Sequence, residues 1–385
     1  KKLEGETKRT LTIIARVRNQ LSELRQDFID IYPEAQNLAV PTDSRVISLT
    51  ELDTIRKRLK FSYSDEKIKL FLTALNTSQI IALCGKPGTG KTTFAEQMAH
   101  ALGARFHLIE VQNNWTDRSD VLGFYNPTDH TYQSTSFLDA LISANDDLKQ
   151  NGNNARLHII CLDEMNLSRV EYYFATFLSI MQRPEGKRRI SLLPYDLELS
   201  LKSESSIENL RRYRSFELPD NIRFVGTMNM DDTAQFLSPK VIDRSVFIEF
   251  DGVTIPEENE SYSFDEELYF PWIDFSIKKA EKEAILDYAS KLKPFCNISP
   301  RLMSYMRAML PMYMTLLEDD KQDDFADIIL LSKILPAKTT VIKETESAEK
   351  SIFEGLPKSK TRYRDGVIRG RVLHPYDTES WSYWE

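Results

Sequence analysis

Cysteine is scarce in this chain. Cys84, Cys161 and Cys296 are the three among 385 residues, and no two are spaced as C-x-x-C. That spacing excludes the common zinc ribbons, and the low count excludes a disulfide-stapled scaffold. Two of the three fall in apolar, strand-like runs, so they read as buried free thiols in a reducing, cytoplasmic setting. Long apolar runs are absent as well: none approaches the ~20 residues that a membrane span needs. The chain opens on charged residues with no signal-peptide pattern, and it begins at Lys1 rather than Met, as a fragment or a processed chain would. Positive charge is not in excess. Fifty Lys and Arg against 58 Asp and Glu give a net charge of −8. This argues against a globally basic nucleic-acid binder and leaves room for a local basic patch in a pore or groove. Hydrophobic residues at 41% and charged residues at 28% describe an ordinary soluble globular chain, long enough for two or three domains.

What is present centres on Gly85-Lys86-Pro87-Gly88-Thr89-Gly90-Lys91-Thr92. The stretch fits G-x-x-x-x-G-K-[ST], the P-loop signature. Glycines let the backbone curl so that successive N–H groups point inward as an anion nest. The following helix adds its positive N-terminal end. Lys91 supplies a point charge for the β- and γ-phosphates, and Thr92 a hydroxyl ligand for Mg²⁺. The flanks agree. Residues 80–84 are a short apolar run that reads as a buried parallel strand, and residues 93–102, opening on Thr93, read as an amphipathic helix. An ordinary glycine-rich turn does not carry both flanks.

The remaining chain divides by pattern. Ile14, Val17, Leu21, Leu24, Phe28 and Ile31 step by 3 and 4, a short heptad-like pattern. It fits a helix packed on its own domain or the end of a coiled-coil arm. Pro33 and Pro41 mark a linker. Ser48 and Glu51 form a capping box, and Ser64-Asp65-Glu66 is a second helix start. Apolar runs at 105–111, 157–162, 222–228 and 246–250 read as further strands; 137–148 and 170–182 read as helices. Residues 112–136 carry turn formers without a helical period, and residues 183–220 look like a polar, basic hairpin. Alternating strands and helices predict a parallel α/β sheet with ligands at the strand C-termini. Residues 272–336 are helix-rich. The expected divisions are an N-terminal helical arm (1–47), an α/β core (48–255), an all-α lid (256–340) and a charged tail (341–385) that ends in Trp381, Tyr383 and Trp384.

Several residues carry candidate chemistry, each with a plainer alternative. Residues 159–162 deliver the adjacent carboxylates Asp163 and Glu164 at a strand end. Asp163 suits Mg²⁺, directly or through water, and Glu164 suits accepting a proton from the water that attacks the γ-phosphate. A solvated loop end is the usual explanation for such a pair, but not about 70 residues after a P-loop and at the end of an apolar strand. Asn229 follows the strand at 222–228, which in this architecture lies between the P-loop and the Asp-Glu strand. Its amide suits orienting the water; a turn cap is the alternative. Arg244 follows the segment 239–243; exposed at the end of a helix, it suits reaching a neighbouring subunit's phosphoryl group, or else an ion pair with Asp243 or Glu249. Arg301, opening a helix after Ser299-Pro300, suits contact with the nucleotide from the lid, or is a surface arginine. Arg183, Lys187, Arg188 and Arg189, with Arg211, Arg212 and Arg214, form a basic cluster that fits DNA or polypeptide tracking, or a solvated loop.

The set P-loop, Leu162-Asp163-Glu164, Gly226-Thr227-Met228-Asn229, Asp243-Arg244 and Ser299-Pro300-Arg301 resembles an AAA+ ATPase over about residues 48–340. The matching motifs are, in order, Walker A, Walker B, sensor 1, arginine finger and sensor 2. Residues 162–174 and 226–231 look like the McrB-type branch. That branch includes the nucleotide-driven subunits of modification-dependent restriction systems. Residues 115–125 are similar to an insertion shared with MoxR-like proteins, and residues 327–336 to the lid of McrB-like relatives. The resemblance implies a homo-oligomeric ring, by family a hexamer. Mg²⁺ with ATP or GTP would be bound and hydrolysed at shared sites, and the work done on a partner. Such a partner could be a nuclease chain in restriction or anti-phage defence. A MoxR-like protein-remodelling chaperone and a nucleotide-gated scaffold are the other readings. One departure concerns the residues after Asn229: Asp232 can match the family's Asn-x-x-Asp, while the Arg-Ser that usually follows is absent. Nothing here resembles a methylated-base reader or a nuclease.

Overall fold

The computed structural model describes residues 47–77, 80–128, 131–183, 187–193, 213, 215–229, 237–250, 258–280, 282–293, 296–316, 324–334, 336, 339–341 and 380–382. The arm at 1–46 and Arg211, Arg212 and Arg214 of the basic cluster lie outside the described residues.

Two capped helices lead into the sheet. Ser48 caps α1 (Leu49–Lys57): its hydroxyl accepts the Glu51 N–H at 3.3 Å, and the Glu51 carboxylate accepts the Ser48 N–H at 2.8 Å. The reciprocal pair is what S-x-x-E predicts. The Ser64 hydroxyl accepts the Lys67 N–H at the start of α2 (Asp65–Leu75), with Asp65 and Glu66 in the first turn. Carboxylates there complement the helix dipole.

Five strands follow: β1 (Ile80–Gly85), β2 (Arg105–Glu110), β3 (His158–Asp163), β4 (Ile222–Asn229) and β5 (Ser245–Phe250). They pair in parallel in the order β2-β3-β4-β1-β5. β1, β3, β4 and β5 are buried almost throughout because both faces are covered, whereas β2, at the edge, keeps Arg105, Leu108 and Glu110 exposed. Ile81, Leu83, Ile159, Cys161, Val225, Val246 and Ile248 pack on one face with α1, α2 and α3 (Lys91–Ala101). Ile80, Ala82, Ile160, Leu162, Phe224 and Phe247 pack on the other, beneath the helix Ser136–Asn151 and the segment 170–181. On that second face Phe137, Phe174, Phe177 and Phe224 form a ring cluster with centroids 4.8–5.9 Å apart. Truncating one of these fully buried rings to alanine costs about 3–5 kcal/mol.

Two expectations change. The single helix expected over 170–182 is two short ones, Val170–Tyr173 and Ala175–Ile180, broken at Phe174. The break lets Phe174 join the ring cluster while the adjacent Tyr173 is buried and donates its hydroxyl to Met165 O at 2.8 Å. Tertiary packing outweighs helix continuity there. The segment 112–136, expected to be irregular, holds a helical turn (Arg118–Leu122) and a hairpin pairing Phe124–Asn126 with Thr131–Gln133. The overlooked signal was Asp117-x-x-Asp120, a capping box in which Asp120 accepts the Asp117 N–H at 3.0 Å.

The basic region does form an antiparallel pair, Arg189–Ser191 with Ser215–Glu217. The helices Lys282–Leu292, Pro300–Thr315 and Asp324–Ile329 follow, the last running into a π-helical turn, Leu330–Ile334. Their apolar faces share one core with α2 and the β1–β5 side of the sheet. Thr339–Val341 pairs with Ser380–Ser382, which places Trp381 opposite Thr340. No described helix is long and apolar enough to cross a membrane.

Candidate nucleotide site

The loop after β1 has the shape its glycines allow. Gly88 and Gly90 sit at φ 75° and 80°, left-handed values that other residues adopt at a cost. Gly90 is the N-cap of α3, so the loop's N–H groups and the helix start face the same place. Lys86, Pro87 and Gly88 are exposed, Thr89, Gly90 and Thr93 half-buried, and Gly85 and Lys91 buried. Lys91 Nζ donates to Gly85 O at 3.0 Å and Lys86 O at 2.8 Å. The ammonium is thus held within the loop's own curl. Thr89 Oγ1 donates to Lys86 O at 2.9 Å and closes the turn.

Strand order brings the second half of the site alongside. β4 lies between β1 and β3, with Asn229 level with Gly85. Asp163 Oδ1 accepts from Thr92 Oγ1 and from Thr227 Oγ1, each at 2.7 Å. Thr227 Oγ1 in turn accepts the Glu164 N–H at 2.9 Å. Glu164 is the one non-glycine residue with positive φ among the described residues, at φ 52° and ψ 46°. Such a conformation costs about 1–3 kcal/mol and persists only where neighbours enforce it. Here the Thr227 hydroxyl enforces it at the backbone. Asn229 Nδ2 donates to Glu164 Oε1 at 3.2 Å, and Asn166, buried, donates to Asn229 O at 2.9 Å. Lys91, Thr92, Asp163, Glu164 and Asn229 are therefore brought together. The Thr92 hydroxyl beside the Asp163 carboxylate is a hard oxygen donor set of the kind Mg²⁺ takes.

The arginines are elsewhere. Arg244 immediately precedes β5, and its carbonyl accepts the Ile80 N–H at 3.1 Å. That is the N-terminal edge of the sheet, whereas the P-loop follows the C-terminal end of β1. Five strand steps of about 3.3 Å separate the two, roughly 17 Å. The Arg244 guanidinium donates to Leu178 O at 3.1 Å, Lys240 O at 2.7 Å and Gln182 Oε1 at 3.2 Å. It is tied to its own chain, not freely exposed as expected, because helix 175–180 ends against it. Asp243 is its weak partner at 3.8 Å, as the alternative of a local ion pair anticipated. Arg301 corrects a second expectation. It does not face the P-loop of its own chain. Its guanidinium pairs with the Asp243 carboxylate and donates to Gln182 Oε1 at 3.3 Å, beside Arg244. The cause is the packing of Pro300–Thr315 along α2, with Ser299 capping the helix through the Leu302 N–H.

Sequence reasoning missed Thr227, Asn166, Gln182 and Lys333. Thr227 lies inside the motif Gly226-Thr227-Met228-Asn229, but no spacing rule says which face of β4 it occupies. Lys333 was visible as a lone charge in the apolar run 328–335. It is buried, and burial together with the nearby Arg301 and Arg244 pushes its ammonium well below the usual lysine range. The basic cluster is reduced in the described part. Arg188 pairs with Asp220 at 2.7 Å, leaving Arg183, Lys187 and Arg189 as its exposed members.

Residues 80–245 match the family model of the AAA domain of the dynein-related subfamily. The matched stretch is somewhat less than half of the chain. Among solved structures, it is similar to a protein from Cytophaga hutchinsonii ATCC 33406 described as "a putative ATPase". Identity is 15%, with 74% of this chain and 85% of that one covered, at a TM-score of 0.45.

Proposed function

We propose that the AAA domain at residues 80–245 works as a magnesium-dependent nucleoside triphosphatase whose site is completed by a second copy of the chain. The observation that carries this is the split between two clusters. The P-loop, Asp163, Glu164 and Asn229 gather at one end of the sheet, and Arg244 and Arg301 at the other. The Arg244 backbone lies five strand steps, roughly 17 Å, from the P-loop of its own chain, so Arg244, with Arg301 beside it, would serve a neighbour's phosphates.

The loop N–H groups and Lys91 would take the β- and γ-phosphates. Thr92 and Asp163 would hold Mg²⁺, which neutralises charge between β- and γ-oxygens when bound. Glu164 accepts the proton of the attacking water as its oxygen bonds to the γ-phosphorus and the bridging P–O bond breaks. Asn229, already hydrogen-bonded to Glu164, is placed to orient that water. Arg244 and Arg301 from the next copy would stabilise charge on the transferring group, a contribution of 10³–10⁵ in comparable sites.

The finer reading is an McrB-like motor in a ring, a hexamer by resemblance, that works on a nucleic acid or a partner chain in restriction or anti-phage defence. Residues 162–174 and the exposed Arg183, Lys187 and Arg189 support it. Turnover of ATP and GTP, with and without DNA, measured across protein concentration alongside oligomer mass, tests both levels. Turnover per subunit should rise with concentration as the ring assembles. A concentration-independent rate in a monomer would overturn the shared site, and no response to DNA would favour a protein client.

A further inference from the structure

In the proposed cycle the helical segment Lys282–Ile334 contributes Arg301, and polar contacts from Arg301 and Lys333 to the core gather around the turn 242–245 and Gln182. Lys333 lies in the π-helical turn Leu330–Ile334, a feature that often marks functional positions. Its Nζ donates to Asp243 O at 2.6 Å and Ser245 O at 2.8 Å, and lies 3.5 Å from Ile242 O. The ammonium also stands 5.2 Å from the centroid of the Tyr305 ring. Those three carbonyls belong to the turn that carries Arg244. From the opposite side, Gln182 Oε1 accepts from Arg244 at 3.2 Å and Arg301 at 3.3 Å, and the Asp243 carboxylate takes Arg301.

Burying an ammonium is costly, and placing it near two guanidiniums adds repulsion. A residue needed only to fill this space would be apolar. The Lys333 nitrogen has a geometric consequence instead: its hydrogen bonds fix the carbonyl groups of the turn to the helical segment, while one amide oxygen fixes both arginine heads.

We infer that Lys333 and Gln182 are positioning residues for the arginine pair. Lys333 fastens the turn 242–245 to the helical segment, and Gln182 holds Arg244 and Arg301 at a common acceptor. Movement of the helices then carries Arg244 toward or away from the neighbouring copy's phosphates. This rests on the reading that the pair serves a neighbour.

Subunit mixing tests it. Lys333→Met alone should lower MgATP turnover about tenfold, with KM for ATP within about twofold of wild type, because the P-loop is untouched. Mixed with an excess of Lys91→Ala subunits, which lack a working P-loop but keep an intact arginine cluster, the Lys333→Met sites should recover several-fold. Arg244→Ala mixed with Lys91→Ala is the control. Recovery in the control without recovery for Lys333→Met overturns the inference and leaves the shared site standing. So does wild-type turnover of Lys333→Met alone. No recovery in the control overturns the shared site, and the inference with it. Should Lys333→Met fail to bind nucleotide, the exposed Gln182→Ala goes through the same mixing. Full turnover by that variant alone, or a loss that mixing does not restore, then decides against the proposal.

Discussion

Thr227 is the most economical place to perturb the site. Thr227→Val keeps the shape and removes one hydroxyl. That hydroxyl donates to Asp163 Oδ1 at 2.7 Å and accepts the Glu164 N–H at 2.9 Å, and Thr227 is 2% exposed. Two consequences add. A charge-assisted bond worth about 1.5–3 kcal/mol is lost, and the N–H that holds Glu164 loses its acceptor. Glu164 sits at φ 52°, so its left-handed backbone, costing about 1–3 kcal/mol, loses the bond that stabilises it. The Glu164 carboxylate then leaves its place beside Asn229. A positioning loss of about 1.5–3 kcal/mol corresponds to a fall in kcat of roughly 10- to 150-fold. Nucleotide binding should change by less than about threefold, since the P-loop contacts remain. Steady-state turnover and binding of a fluorescent nucleotide separate the two effects. Thr227→Ser, which restores the hydroxyl, should recover most of the rate. Wild-type turnover by Thr227→Val, or a Thr227→Ser variant as slow as Thr227→Val, would show that the hydroxyl does not hold Glu164 in place.

Other expectations follow from the same geometry. Glu164→Gln should bind MgATP normally and lose about 10²–10⁴ in turnover, read in a single-turnover assay; retained turnover sinks its role as base. Arg223 is buried and donates to the carbonyls of Leu75, Phe275, Asp220 and Ile222, tying β4 to α2 and the segment 272–275. Arg223→Met should lower the melting temperature, by about 2–4 kcal/mol of stability, without changing nucleotide KM in the folded protein. Burial, then the neighbouring His158 and Arg105, hold the His107 imidazole down to about 4. An unfolded histidine near 6.5 binds its proton first, so this stabilisation is complete above about pH 6.5 and is lost as pH falls toward 4. His107→Gln should flatten the fall in melting temperature between pH 7 and 4.5; an unchanged slope would show that His107 does not drive it.

Much of the core was legible because its signals are local. A parallel strand buried on both faces must be a short apolar run, so residues 80–85, 158–163 and 222–229 declared themselves. Ser48, Ser64 and Ser299 marked helix starts because a cap is a contact across three residues. The break at Phe174 was not legible. It depends on Phe137 and Phe224, which are distant in the chain and reach it only after the sheet forms.

By itself the sequence determined that a phosphate-binding loop follows one buried strand and that two carboxylates end another. Both are chemistry carried on adjacent residues. Tertiary structure decided what those groups touch. Inserting β4 between β1 and β3 set Thr227 and Asn229 against the carboxylates. The parallel pairing of β5 with β1 sent Arg244 to the edge opposite the P-loop. Packing of Pro300–Thr315 along α2 drew Arg301 there as well. Spacing along a chain does not say which end of a sheet a residue will occupy; strand order and strand direction do.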